Sequence, residues 1–159
     1  MDASAVDPDV IYGVYGEVQS SLDGGKTWSI AGSPPAQVID IATSPESTDR
    51  LYAATGQGVM VSKDGAKTWQ ATGPNGQATM VQAAEDGTIY AFIVGQGLVA
   101  VKNGIDKWEI LSTAFGDRFL LHLAADPANY KRLYAVTQKS EIITSSNGGV
   151  KWLPLGHSG

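Results

Sequence analysis

The 159 residues carry 16 acidic and 11 basic side chains, a net charge of -5, and no cysteine. Nucleic-acid binding needs a cationic surface, so the acidic balance argues against that class of partner, and the lack of thiols excludes disulfides and thiolate chemistry. With 43% hydrophobic residues, 19 Gly and 7 Pro, and no run approaching the ~18–20 apolar residues that span a bilayer, the composition is that of one globular domain of short strands joined by many turns.

In chain order the elements repeat. Ala3 to Val6, Val10 to Val14, Val18 to Ser21 and Lys26 to Ile30 read as four short strands, with Asp7-Pro8 at the first turn. The second set is 37–42, which ends at Ser44-Pro45 because proline cannot donate to a ladder, then Arg50 to Ala54, Val59 to Ser62 and Thr68 to Ala71. Gly56-Gln57-Gly58 forms the hairpin between the middle strands, where glycine tolerates positive φ. A third set runs Thr79 to Ala84, Ile89 to Val94, Leu98 to Val101 and Lys107 to Leu111. The fourth runs Phe119 to Ala124, Arg132 to Val136, Ile142 to Ser145 and Lys151 to Leu155, with Asp126-Pro127 at its turn. Tyr12, Tyr52, Tyr90 and Tyr134 are equivalent, and Trp28, Trp69, Trp108 and Trp152 fall 41, 39 and 44 residues apart. Four strands in units of this period, without helical periodicity, predict an all-β chain of antiparallel β-propeller blades. We place the blades at about 1–32, 33–73, 74–113 and 114–159, as a single domain.

Each unit turns from its third to its fourth strand through an octapeptide: Ser21 to Trp28, Ser62 to Trp69, Val101 to Trp108 and Ser145 to Trp152. Asp and Ser side chains there satisfy backbone groups that a tight turn leaves without ladder partners. The glycines admit positive φ, and the Trp buries a large ring between sheets. A catalytic or metal-binding role for these acids would require four equivalent sites, and Asn103 and Asn147 stand where the first two copies have Asp23 and Asp64. Structural roles are therefore expected for Ser21, Asp23, Gly25, Thr27, Trp28, Ser62, Asp64, Thr68, Trp69, Asn103, Trp108, Ser145, Asn147, Gly149 and Trp152. The third copy keeps only its turn and Trp108, so irregularity is expected around residues 103–107.

Ser-x-Asp-x-Gly-x-Thr-Trp resembles the Asp-box, or BNR repeat, of sialidases, sortilin-type receptors, some endoglucanases and photosystem II assembly factors. The first copy matches it fully; the second departs at Ala66, the fourth at Asn147 and Lys151. The whole repeat, with its Pro turn and Leu-Tyr or Ile-Tyr strand, is most similar to bacterial BNR-repeat, glycosyl-hydrolase-like proteins. The resemblance implies a propeller in which the Asp-box is a structural turn away from the central site. It does not by itself imply catalysis.

Arg50, Arg118 and Arg132 equal in number the carboxylate-binding arginines of sialidases, but Arg50 and Arg132 share one repeat position, before Leu-Tyr, and no Arg-Ile-Pro motif is present. The inner strand, counted five residues back from the turn proline or its counterpart, carries Ala3, Asp40, Gln82 and His122. Inner strands line a propeller's channel, so Asp40, Gln82 and His122 are the candidate binding residues. One Asp and one His do not make a metal site, and no Gly-rich phosphate loop opens a helix, so neither metal nor cofactor is expected. The sequence therefore predicts a non-catalytic scaffold that binds a protein or a glycan, with a fragment of a glycosidase or sialidase-like hydrolase as the alternative. Each repeat runs through its own four strands in order with no terminal clasp, and an open arc would leave two apolar faces exposed, so the chain is expected to be part of a larger propeller or half of an eight-bladed homodimeric ring; Met1, falling in a strand of the repeat, suggests a partial reading frame. No signal peptide is visible; the compartment is exported if a longer protein carries one, and cytoplasmic otherwise.

Overall fold

A computed structural model of the chain describes residues 1–34, 37–102 and 107–155. Among these residues there is no helix, and the strands form four four-stranded antiparallel sheets, each a meander in sequence order. The first sheet contains β1 (Asp2–Ala3), β2 (Ile11–Tyr15), β3 (Glu17–Ser21) and β4 (Ser29–Gly32). The second contains β5 (Val38–Ser44), β6 (Ser47–Thr55), β7 (Gly58–Ser62) and β8 (Gln70–Asn75). The third is β9 (Ala78–Ala83), β10 (Thr88–Ile93), β11 (Gly97–Lys102) and β12 (Glu109–Ser112), and the fourth β13 (Leu120–Asp126), β14 (Asn129–Thr137), β15 (Ile142–Ser145) and β16 (Leu153–Pro154).

The strand edges differ from the sequence expectation in several places, β6 and β14 each starting three residues early, and two of the differences have a plain local reason. In the first sheet, β1 ends at Ala3 because the Ser4 hydroxyl accepts the Val6 and Asp7 amides and turns the chain. Every fourth strand starts after its Trp, not before it. In the first and second sheets the turn's own Asp captures the backbone of Thr27 and Thr68, so neither residue is available to a ladder.

The sheets pack face to face through three apolar clusters, one at each successive junction. Tyr12 and Val18 of the first sheet meet Ile41 and Leu51 of the second. Tyr52, Ala54 and Val59 meet Ile89, Ala91 and Val99, and Tyr90, Phe92 and Leu98 meet Leu133, Ala135 and Ile143. No such cluster joins the fourth sheet to the first among the described residues. Burial follows: β10 is buried at every position, whereas β14 alternates between buried and half-buried from Leu133 to Thr137. The molecule is an arc of four blades with one unpaired sheet face at each end. The Phe92 and Phe115 rings meet edge to face at 5.0 Å in the third junction.

Candidate functional site

The octapeptide turns are closed hydrogen-bond networks. In the first, the Ser21 hydroxyl donates to Asp23 Oδ1 at 2.8 Å and accepts the Gly25 amide at 2.8 Å. Asp23 Oδ1 also accepts the Thr27 amide, Oδ2 accepts the Thr27 hydroxyl at 2.6 Å, and Trp28 Nε1 donates to the Gly25 carbonyl. These donors hold the Asp23 carboxyl down at about 2, the Thr27 hydroxyl acting most strongly. Asp64 is held at about 2 by the same contacts with Thr68. In the fourth turn Asn147 Oδ1 accepts from Ser145 and the Lys151 amide, and Trp152 Nε1 donates to Gly149. A neutral amide thus does the same work as the carboxylate. Where the second turn replaces glycine, Ala66 adopts φ 74°, and the Trp69 indole nitrogen is buried without a hydrogen-bond partner. Asn103 lies outside the described residues, as do residues 104–106 of the third turn; Trp108 is described, and its Nε1 donates to Thr72 of the preceding sheet at 3.0 Å.

The inner strands β1, β5, β9 and β13 follow one another around the concave side of the arc, and one type of contact ties each pair. Asp2 Oδ2 accepts the Thr43 amide at 2.7 Å and its hydroxyl at 2.8 Å. Asp40 Oδ2 accepts the Val81 amide at 3.0 Å, and the Thr79 hydroxyl donates to the Leu120 carbonyl at 2.6 Å. Each contact spans 41 residues of sequence. Asp2 and Thr79 were not singled out from the sequence. The signal that could have found them is a polar side chain on an inner strand, one repeat length from its acceptor or donor.

Strand pairing redraws the expected trio. Asp40 lies opposite Ala54 and His122 opposite Val136, each opposite the residue two beyond the equivalent tyrosine of its sheet, Tyr52 or Tyr134. Gln82 instead lies opposite Tyr90 itself, and the true counterpart of Asp40 and His122 is the buried Met80, opposite Phe92. Counting from the turn misplaced Gln82 because the paired positions Ala83 and Ile89 are six residues apart, whereas their counterparts Thr43 and Leu51, and Ala125 and Leu133, are eight apart. Its Nε2 donates to the Ala83 carbonyl.

Burial pushes the Asp40 carboxyl above its ordinary range; the Val81 and Ile41 amides, the His122 side chain and the Met1 amino group act in the opposite sense. His122 is exposed. No third His, Cys, Asp or Glu among the described residues completes a metal-binding group. Arg118 and Arg132 pair with Glu141 and Asp126, each at 3.6 Å, and do not form a shared anion site. A concavity of about 710 Å³ between the third and fourth sheets, lined by Tyr90, Leu111, Tyr130 and three lysines, lies at the end of the strands that carries the octapeptide turns, away from Asp40 and His122.

No protein-family model matches the chain, and no curated protein matches it in sequence. Solved structures do match in shape. A GH74 enzyme from Niastella koreensis superposes over 93% of this chain and 28% of its own, with a TM-score of 0.68 and 17% identity. A YCF48 structure bound to D1 peptide superposes over 99% of this chain and 52% of its own, with a TM-score of 0.66 and 16% identity. An auxiliary nutrient binding protein from Bacteroides thetaiotaomicron superposes over 89% of this chain and 36% of its own, with a TM-score of 0.70 and 15% identity. The chain spans at most about half the length of these proteins. At such identities the likeness carries the fold alone: an all-β arc of β-propeller blades.

Proposed function

We propose that the chain is a non-catalytic propeller scaffold of the Asp-box kind, binding a protein or glycan partner across the face formed by its inner strands, with His122 as a contact residue. The observation that carries this reading is how Asp40 is used. Its two oxygens hold the Ile41 and Val81 amides, so the most deeply placed acid of that face serves the seam between two blades. Retaining and inverting glycosidases need two carboxylates free to face a scissile bond. Support also comes from a propeller of like shape that is bound to a peptide and from another that is a nutrient binding protein.

One observation favours the alternative, a fragment of a carbohydrate-active enzyme. A carboxyl raised by burial, as Asp40 is, has the property that a general acid requires. Peptide and glycan arrays probed with the intact chain, beside a panel of chromogenic glycosides, separate the two. The scaffold reading expects saturable capture without turnover, weakened about tenfold in His122→Ala, the loss of one charged or polar contact of about 1.4 kcal/mol. Turnover that disappears in a folded Asp40→Asn variant would overturn it.

A further inference from the structure

The three internal junctions obey one rule. The second strand of each sheet puts its tyrosine and the residue two beyond it on one face, and an Ile or Leu followed by a small residue on the other. Tyr52 and Ala54 face one way, Leu51 and Ala53 the other; Tyr90 and Phe92, then Ile89 and Ala91, do the same. At every junction the tyrosine face of one sheet receives the Ile/Leu face of the next. The two faces left over are one of each kind. The fourth sheet exposes its tyrosine face, with Tyr134, Val136 and, in register with them, Ile142 and Leu153. The first exposes its Ile/Leu face, with Ile11, Gly13 and, in register, Ile30. Ile142 is 50% exposed and Ile30 70%.

From this we infer that the two free faces are the halves of one further blade junction, and that a second copy of the chain occupies both: two arcs joined head to tail into an eight-bladed ring. The occupant is specified by continuity with an interface that the molecule already builds three times. The tryptophans make the same point. Trp69, Trp108 and Trp152 each pack on the cluster shared with the preceding sheet. No sheet precedes that of Trp28 among the described residues, and its ring borders a shallow cavity of about 290 Å³ with Met1, Gly13, Tyr15 and Gln19. In the ring it meets Leu155 of the second copy, which bonds to Ile142 at the register position that Thr72 holds against Val59 in the second sheet. A matching hollow of about 140 Å³ lies on the fourth sheet between Tyr134, Val136 and Ile142. The contact is heterologous, so two copies close only if each arc subtends half a turn. His122 also lines this hollow, at the register position where Asp40 serves a seam, so the ring and a partner at the inner strands would share that residue; the inference rests on the sheet faces and not on that partner.

Light scattering coupled to gel filtration, with the full chain over a range of concentrations, tests it. The expected mass is about twice 16.6 kDa. Ile142→Lys and Gly13→Glu change an exposed and a half-buried position on opposite faces; the nearest atoms to a Cβ at Gly13 are those of the Trp28 and Met1 side chains, no closer than 3.7 Å. Each variant alone breaks both junctions of the ring and should run as a monomer with unchanged circular dichroism. Mixing them should restore the dimer, because one junction is then wild type on both sides and the other pairs Lys with Glu. A face-to-face dimer would not be restored by mixing. That result, a monomeric wild type at every concentration, a dimer indifferent to both substitutions, or open chains of more than two copies would overturn the ring.

Discussion

Asp23 and Asp64 accept hydrogen bonds that only the ionised carboxyl makes in full, and both are held at about 2 in the folded chain against 3.8 ordinarily. Because the folded value is depressed, their contribution is complete above the ordinary value and is lost as pH falls through about 2. Thermal melting followed from pH 5 to pH 2 should therefore show a decline that Asp64→Asn reduces, since Asn147 demonstrates that an amide keeps the turn. Asp40 runs the other way. Its folded value is raised, so the ionised form opposes folding above that value, and acidification toward 3.8 relieves the opposition. Wild type should gain stability as pH falls through the raised folded value toward 3.8, and Asp40→Asn should lack that gain. The turn chemistry was legible in the sequence because Ser, Asp and Gly act within four residues of one another. The seam role of Asp40 was not, because its acceptor function is defined by an amide 41 residues away.

Between elements, stability rests on the junctions. Leu51 and Leu133 are fully buried on the Ile/Leu faces of their sheets. Replacing either by Ala should cost about 2–5 kcal/mol in urea denaturation, as buried Leu→Ala changes do. The fourth strand of one sheet also touches the turn of the next. A Cβ on Gly32 would lie 2.1 Å from the Ala66 carbonyl oxygen, so Gly32→Ala forces backbone to move and should destabilise by about 1–3 kcal/mol. At the next junction Trp108→Phe removes the donor to Thr72, a loss of about 0.5–1.5 kcal/mol by the same measurement. The period of about 40 residues announced these elements, since each repeat must carry its own strands and turns. It did not set strand ends, which Ser4, Asp23 and Asp64 decide by capturing nearby amides, or the place of Gln82, which the length of one turn decides.

For the whole molecule, sequence comparison treats the four repeats as equals, and packing makes them unequal. Only the structure distinguishes junctions that are filled from faces that are open, because that difference depends on what lies beyond each end of the arc. If a second copy closes the ring, the melting temperature should rise with protein concentration, since association stabilises the folded state by mass action. Gly13→Glu should abolish that dependence in differential scanning fluorimetry. The continuous burial of β10 beside the alternating burial of β14 has a further consequence, for backbone amide exchange. Stacked repeats are held by their neighbours, so opening begins at the ends and moves inward. A lone arc would exchange the amides of β2 and β14 well before those of β6 and β10, whereas a closed ring, having no end at which to begin, would protect all four alike.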